Sequence, residues 1–516
     1  MKRILLSLLI SAALVGCTQV RNPATGELQY TTLSQEDELR LGLQEHPKVL
    51  AEFGDAYEGQ RTAAYVQEVG QRLVAVSELP EQQFTFTLLN SPVVNAFALP
   101  GGYVYVTRGI LALAADEAEL AGVIAHEIGH VTGRHTAQRH TQSTVAQGTG
   151  MLGVLMGGLF GGEAGARAAA QLAQAAAPAW VMSYSREQEF EADELGIRYL
   201  TRAGYDPRAM ASFLGRLQGQ AQLEAARTGR SADPEQTIYA SHPRTLDRVA
   251  RAAQAAAERA DGPIRRNRDA YLLAVDGMRY GDDPAEGLVL GRSFVHPGLG
   301  FRFDAPPGFT LANSPTQVIG RSADGAVMVF DGAQRSTPDV ASYLQREWPG
   351  QGATRAVWPG QIDGHAAATG LAVGRVGNQV RQVLVGAIDA ADAKVWRFQF
   401  VAPQLDQRSV GTYQAAIESF RFLSPAEAAR YPGQMIRVHE VRPGERLETL
   451  MGTSDADLLA EARLINGLPL DGGQPEPGQR VKLIVPATGG TPVAEAGPEA
   501  EGSVDQLGVE PVGPGA

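Results

Sequence analysis

The stretch AHEIGHVTGRH, residues 125–135, sets His126 and His130 four positions apart, with Glu127 beside the first and His135 shortly after. Residues 116–133 around it read as one helix: Asp116 is a candidate N-cap with Glu119 three residues on, and Gly133 is a natural stop. On that helix the two imidazoles share a face and can bind one Zn²⁺, while Glu127 reaches the attacking water rather than the metal. The lead-in LAGVIA and Ile128 predict a buried helix, where two unpaired histidines and a glutamate would be costly; a merely solvated face fits badly.

A catalytic zinc site needs a third protein ligand. Gly133 falls where the metzincin pattern wants its glycine, but that pattern needs a histidine at the position of Thr136. His135 is one residue short and reads as a surface residue or a support to a ligand. The remaining candidates lie in SYSREQEFEADELGIRYL, residues 183–200, a helical stretch dense in carboxylates.

The chain has 516 residues, 44% hydrophobic and 20% charged, enough for roughly three domains of about 150 residues each. Its net charge of −12 disfavours nucleic acid as a partner. The start, MKRILLSLLISAALVGC, is basic, then apolar, then small, which is a secretory signal pattern too short to span a bilayer. It resembles a bacterial lipoprotein signal whose box is Leu14, Val15, Gly16 and Cys17. Cys17 is the only cysteine, so it is the expected lipid acceptor and no disulfide can form. By the same resemblance, Thr18 in place of aspartate implies the outer membrane, facing the periplasm. A buried thiol in an uncleaved helix is the alternative.

Residues 1–16 are thus expected to be a signal peptide and 17–34 a polar tether. A helical pattern runs over 35–260; RTAAYVQEVGQRLVAV, for one, brings Ala64, Val66, Val69 and Leu73 to one face. FTFTLLN and GGYVYVT alternate like strands. The run 148–162 is apolar and glycine-rich and reads as a mobile or amphipathic element or a buried hairpin. Residues 261–289 have linker composition, and 290–425 carry strand-like runs and an amphipathic stretch, a small α+β domain without a chemical motif. Residues 435–487 resemble a LysM glycan-binding module through Gly444, Leu447, Asn466, Gly467, Pro477, Gly478 and Gln479, with Arg446 departing from the pattern; an ordinary βααβ cap is the alternative. The tail 488–516 is Gly/Pro-rich and expected to be disordered.

Four ordered motifs, NAFALPGGYVYVTRGIL, HEIGH, SREQEFEADELG and SHPRTLDR, together resemble the zinc peptidase family that includes the CaaX prenyl protease, the membrane heat-shock protease HtpX and the periplasmic protease BepA. The similarity covers about residues 35–254. It implies a multidomain protein: a mainly α gluzincin-like protease domain with a small edge-strand sheet, then the α+β domain and the LysM-like βααβ module. It also implies one Zn²⁺ per chain and a third ligand in a Glu-x-x-x-Asp helix, which here is Glu189 with Asp193. Positions 189, 192, 193, 196 and 200 form one helical stripe in which Ala192 and Gly196 are small enough for close packing, whereas Glu191, Glu194 and Arg202 lie off it and read as solvated. Asp193 is expected to accept the outer ring N–H of a ligating histidine, and Arg248 to neutralise nearby carboxylates.

His242 in SHPRTLDR is expected to approach the metal from a loop, either donating to the oxyanion or occupying the open position. The strand PGGYVYVT is expected to be an edge that pairs with substrate backbone, positioned by Asn95, Gly101, Gly102 and Tyr103; an ordinary core strand is the alternative. The reading that results is an endopeptidase for unfolded or misassembled envelope proteins, with peptidoglycan as a second candidate partner. A peptidoglycan-associated binding lipoprotein and a chaperone-like scaffold are the alternatives.

Overall fold

The computed structural model describes residues 18–141, 184–228, 246–258, 264–348, 354–376 and 379–487. They fall into two units, one built from the described residues up to Tyr280 together with Met435–Val485, the other from Gly281–Gln434. The segment expected to be a signal peptide with Cys17, the glycine-rich run 148–162, the stretch with His242 and the tail from 488 lie outside the described residues.

In the first unit, the segment expected to be a tether is folded. Strands β1 (Thr18–Arg21) and β2 (Leu28–Thr31) pair antiparallel. The turn chemistry explains it: Asn22 Oδ1 accepts from the N–H groups of Ala24 and Thr25, and Gly26 supplies a φ of 75°. The hydroxyls of Thr31 and Thr141 meet at 3.1 Å and Asn22 Nδ2 donates to Gly133 O at 3.4 Å, so the hairpin is docked rather than dangling.

Helix α1 (Gln35–Phe53) opens on a capping box between Ser34 and Asp37, and α2 (Gln60–Val74) buries Val66, Val69 and Leu73. Strands β3 (Thr85–Leu89), β4 (Ala96–Leu99) and β5 (Tyr103–Thr107) then form a sheet in the order β3-β5-β4. This corrects the edge-strand expectation. The PGGYVYVT strand is β5, hydrogen-bonded in parallel to β3 and antiparallel to β4, and among the described residues β4 is an edge. Gly101 and Gly102, with φ of 83° and 88°, fold β4 back onto β5.

Next come α3 (Arg108–Leu113), α4 (Glu117–Thr132), α5 (Arg186–Arg202), α6 (Ala209–Thr228) and α7 (Leu246–Ala257). Every residue of α4 except Val131 is buried, against α2, α5, α6 and β4. Glycines set how closely α4 and α5 approach: a Cβ added to Gly129 would lie 3.0 Å from Ala192 O, and one on Gly196 3.1 Å from the His126 backbone nitrogen.

The segment expected to be a linker contains α8 (Arg268–Val275), whose Tyr271 and Leu272 are fully buried. Its polar composition has another use: Arg266 reaches Asp116 at 2.7 Å and Asp206 at 3.0 Å, bracing the start of α4. The C-terminal segment has the expected βααβ order: strand Gln434–Glu440, helices Leu447–Met451 and Ala456–Asn466, and strand Arg480–Pro486. It is not a separate bead. Its strands share a sheet with β6 (Arg279–Tyr280), Ile436 and Leu464 join the main core, and fully buried Lys482 donates from Nζ to the carbonyls of Ala112 and Ala114, both at 2.6 Å.

The second unit is sheet-rich. Seven antiparallel strands lie in the order Phe309–Asn313, Gln317–Ser322, Val327–Gln334, Lys394–Val401, Gln379–Asp389, His365–Val376, Thr354–Ile362, beside a four-stranded sheet. Alternation assigns the faces: Trp396, Phe398 and Phe400 pack with Phe294, Phe301, Phe303 and Ile417 of helix Gln407–Glu418, while Val395 joins Val383 and Val385 against helix Val340–Arg346.

Candidate metal centre

Asp116 caps α4 by accepting from Glu119 N–H at 3.0 Å, and Glu119 returns a carboxylate oxygen to Ala115 N–H at 2.8 Å. From this fixed start, His126 and His130 fall on one face, their Nε2 atoms 3.0 Å apart. Helix α5 opens on a capping box between Ser185 and Gln188, which puts Glu189 in its first turn. The Glu189 carboxylate lies 3.4 Å from His130 Nε2 and 3.6 Å from His126 Nε2. All three residues are buried, and one ligand atom from each falls within 4.8 Å of the others. Donor atoms about 2.1 Å from a common tetrahedral centre would stand roughly 3.4 Å apart. The separations and the two-imidazole, one-carboxylate donor set therefore fit a four-coordinate cation with one position left for a reactant.

Each ligand has its own support. His126 Nδ1 sits 2.9 Å from Asp193 Oδ1, one turn beyond Glu189, which leaves its Nε2 lone pair facing the centre. Arg248 of α7 grips Asp193 through Nε and Nη2, both at 2.7 Å, and touches Glu189 with Nη1 at 2.5 Å. Burial alone would raise the Asp193 carboxyl; Arg248 and His126 outweigh it and hold the group below the usual carboxylate range. Burial likewise presses His130 well below the ordinary imidazole value, so its ring is neutral. His130 Nδ1 meets His135 Nδ1 at 2.8 Å, and His135 Nε2 lies 3.4 Å from Glu191. Glu191 is therefore not the solvated bystander that its position off the stripe implied. Tyr184 stacks on His130 with ring centroids 3.7 Å apart, its hydroxyl pushed up to about 12 by burial and hydrogen-bonded to Thr136 at 2.9 Å. Glu127, 2% exposed, points from the same helix into the wall of a cavity of about 60 Å³ shared with His126, Asn95, Ala96, Val123 and Met210.

Residues 60–256 match the model of Peptidase family M48, and that interval carries all of these groups. This segment is similar to metallopeptidase domains of the M48 type. The β-barrel assembly-enhancing protease of Yersinia pestis is 33% identical over 266 residues, covering 51% of this chain and 52% of that one. Its counterpart in Escherichia coli (strain K12) is 31% identical, with 48% and 50% covered. The mitochondrial metalloendopeptidase OMA1 of Schizosaccharomyces pombe is 27% identical, with 41% and 61% covered. The chain thus spans about half the length of the bacterial relatives it matches.

Not every expected residue reaches this centre. Asn95, at the start of β4, borders the cavity. Gly101, Gly102 and Tyr103 are at the other end of the β4-β5 hairpin, since Leu99 pairs with Tyr103 and Ala96 with Val106; the Tyr103 ring packs 5.2 Å from that of His46. His242 lies outside the described residues. Tyr184 and Glu191 are supports of the site that motif reading missed; His135, expected as a surface residue or a support to a ligand, lies beside His130 as such a support. Among the described residues no helix is long and apolar enough to cross a membrane.

Proposed function

We propose that the chain is a zinc endopeptidase of the bacterial cell envelope that cuts unfolded or misassembled envelope proteins. The observation that carries this reading is the convergence of His126, His130 and Glu189 beside Glu127 in the wall of an apolar cleft. Relatives named for enhancing β-barrel assembly support envelope proteins as the substrate class. A Zn²⁺ held by His126, His130 and Glu189 would supply Lewis acidity to a peptide carbonyl and to the attacking water. Glu127 takes the water's proton and returns it to the leaving amine. Asp193, Arg248 and the His135–Glu191 pair keep both imidazoles presenting Nε2, and Arg248 offsets the buried carboxylate charge. His242 donates to the oxyanion or fills the open position at rest. Edge strand β4, entered at Asn95, pairs with extended substrate backbone, which selects unfolded chains over particular sequences. Lipid on Cys17 holds the enzyme at the outer membrane, facing the periplasm.

A second role is supported by the groove at His439, Arg442, Pro443, Pro477 and Gly478 of the βααβ segment, which overlaps the LysM-like residues and would take peptidoglycan. The deciding experiment is casein cleavage by protein lacking residues 1–17. Cleavage abolished by a chelator and restored by zinc is expected; no cleavage with zinc bound would favour the binding or scaffold readings, and chelator-resistant cleavage would remove zinc from the reaction.

A further inference from the structure

The second unit contains a cavity of about 70 Å³ that proteolysis leaves unused. Aromatic rings form much of its wall: Phe294, Phe301, Phe330 and Trp396, with the Phe301 and Trp396 centroids 4.4 Å apart. Gly332 makes room for the indole, since a Cβ there would lie 2.8 Å from the Trp396 ring.

The wall also carries Glu286, Ser314, Thr316 and Gln317, and two of its residues hold buried polar atoms of opposite sense. Trp396 is 6% exposed, and its Nε1–H has no hydrogen-bond partner among the described residues. Asn313 Oδ1 is buried in the same condition. Its orientation is not arbitrary, because Asn313 Nδ2 donates to the carbonyls of Glu286 and Gly287 at 2.9 and 3.2 Å, which leaves the oxygen as the face offered elsewhere. His296 Nδ1 accepts from Leu299 N–H at 3.1 Å, so its proton is on Nε2; burial lowers this histidine to about 4 and keeps it neutral. Asp331 is already bound by Arg397, 2.6 Å from Nε. A buried donor and a buried acceptor left unpaired are each costly, and a ligand that brings the complementary pair removes both penalties.

We propose that this cavity binds the acetamido group of an N-acetylated amino sugar. The acetamido oxygen accepts from Trp396 Nε1–H, its N–H donates to Asn313 Oδ1, and its methyl enters among the phenylalanine rings. The sugar ring remains at the rim, beside half-exposed Leu299 and the His296 edge. Shape and inventory favour this group over other amides. A peptide backbone amide continues in both directions and needs an open groove. A glutamine or asparagine carboxamide ends in two N–H donors and has no methyl to place among the phenylalanine rings. The proposal is independent of the peptidase reading.

The test uses the full chain in detergent and a β-1,4-linked N-acetylglucosamine tetramer, followed by calorimetry and by saturation transfer to the acetyl methyl protons. Binding is expected with the strongest transfer at that methyl. Deacetylating the tetramer, or substituting Trp396→Phe or Asn313→Leu, should each weaken it by about 10-fold or more, the worth of one well-made hydrogen bond in a dry site. Should either variant fold poorly, the Trp396 indole N–H resonance of the unaltered chain decides: it should move with the acetylated tetramer and not with the deacetylated one, whereas binding at the βααβ groove alone would leave it unmoved and overturn the proposal. The proposal is overturned by no binding, by equal binding of the deacetylated tetramer, by undiminished binding in both folded variants, or by a glutamine peptide that competes as strongly as the sugar.

Discussion

Glu127 and Glu189 are both buried acids beside the same two histidines, yet their positions assign them different chemistry. Glu189 faces both Nε2 atoms, whereas Glu127 faces the cleft. Glu127→Gln should retain zinc, measured by elemental analysis, and lose roughly 10²- to 10⁴-fold in turnover; near-normal turnover in a zinc-replete variant would remove it as the general base. Glu189→Ala should strip the metal. Glu191→Ala, which removes only the support of His135, should weaken zinc binding by about 10-fold and leave turnover at saturating zinc close to normal. His126, Glu127 and His130 were legible because helical spacing alone brings them together. Glu189 needed a stripe argument and a family resemblance, since its identity depends on which face of α5 meets α4. Tyr184 and Glu191 depend on the register between those helices, and no local pattern encodes that.

At the scale of elements, the same small residues that were readable as a packing stripe now explain the site's precision. Gly196 abuts the backbone of His126, so Gly196→Val should push α5 off α4, costing about 1–3 kcal/mol by overpacking. Chemical denaturation should show the loss, and zinc affinity should fall with it because Glu189 and Asp193 ride on the displaced helix. A variant with unchanged stability and unchanged zinc affinity would mean the contact is slack. Strand order was harder to read than strand position. β4 and β5 are both short apolar runs around one glycine turn, and which of them has a second neighbour depends on where the distant β3 docks. The polar segments 18–31 and 264–280 misled for a related reason: turn and charge-pairing residues look like linker until their partners, Gly133 and Thr141 for one, Asp116 and Asp206 for the other, are known.

For the molecule as a whole, the C-terminal βααβ segment belongs to the first unit's core, so a chain ending at Gly433 should lose that unit's cooperative unfolding and become sensitive to limited proteolysis. Lys482 gives a finer test. Burial, reinforced by Arg216 and Arg268, depresses its amine well below the ordinary lysine value. The unfolded chain therefore binds the proton more readily, and stability relative to Lys482→Met should rise as pH climbs toward about 10.4, by at most about 1.4 kcal/mol per pH unit. A difference that is flat from pH 7 to 10 would show that the amine stays charged. Cys17→Ala should release the protein from membrane fractions; retention through a high-salt wash would rule out the lipid.

The β1–β2 hairpin gives that lipid a further meaning. Seventeen extended residues would form a leash of roughly 60 Å. Here Thr18, next to Cys17, is already in a strand, and the hairpin is docked at Gly133 and Thr141, just past the last histidine ligand's helix. Almost no slack remains. With the proposed lipid on Cys17, an enzyme so mounted would patrol a thin layer along the leaflet that holds it, and its encounters would be counted per unit of membrane area instead of per unit of volume. Chains stalled at that surface would meet it often, and the same chains adrift in bulk solution hardly at all.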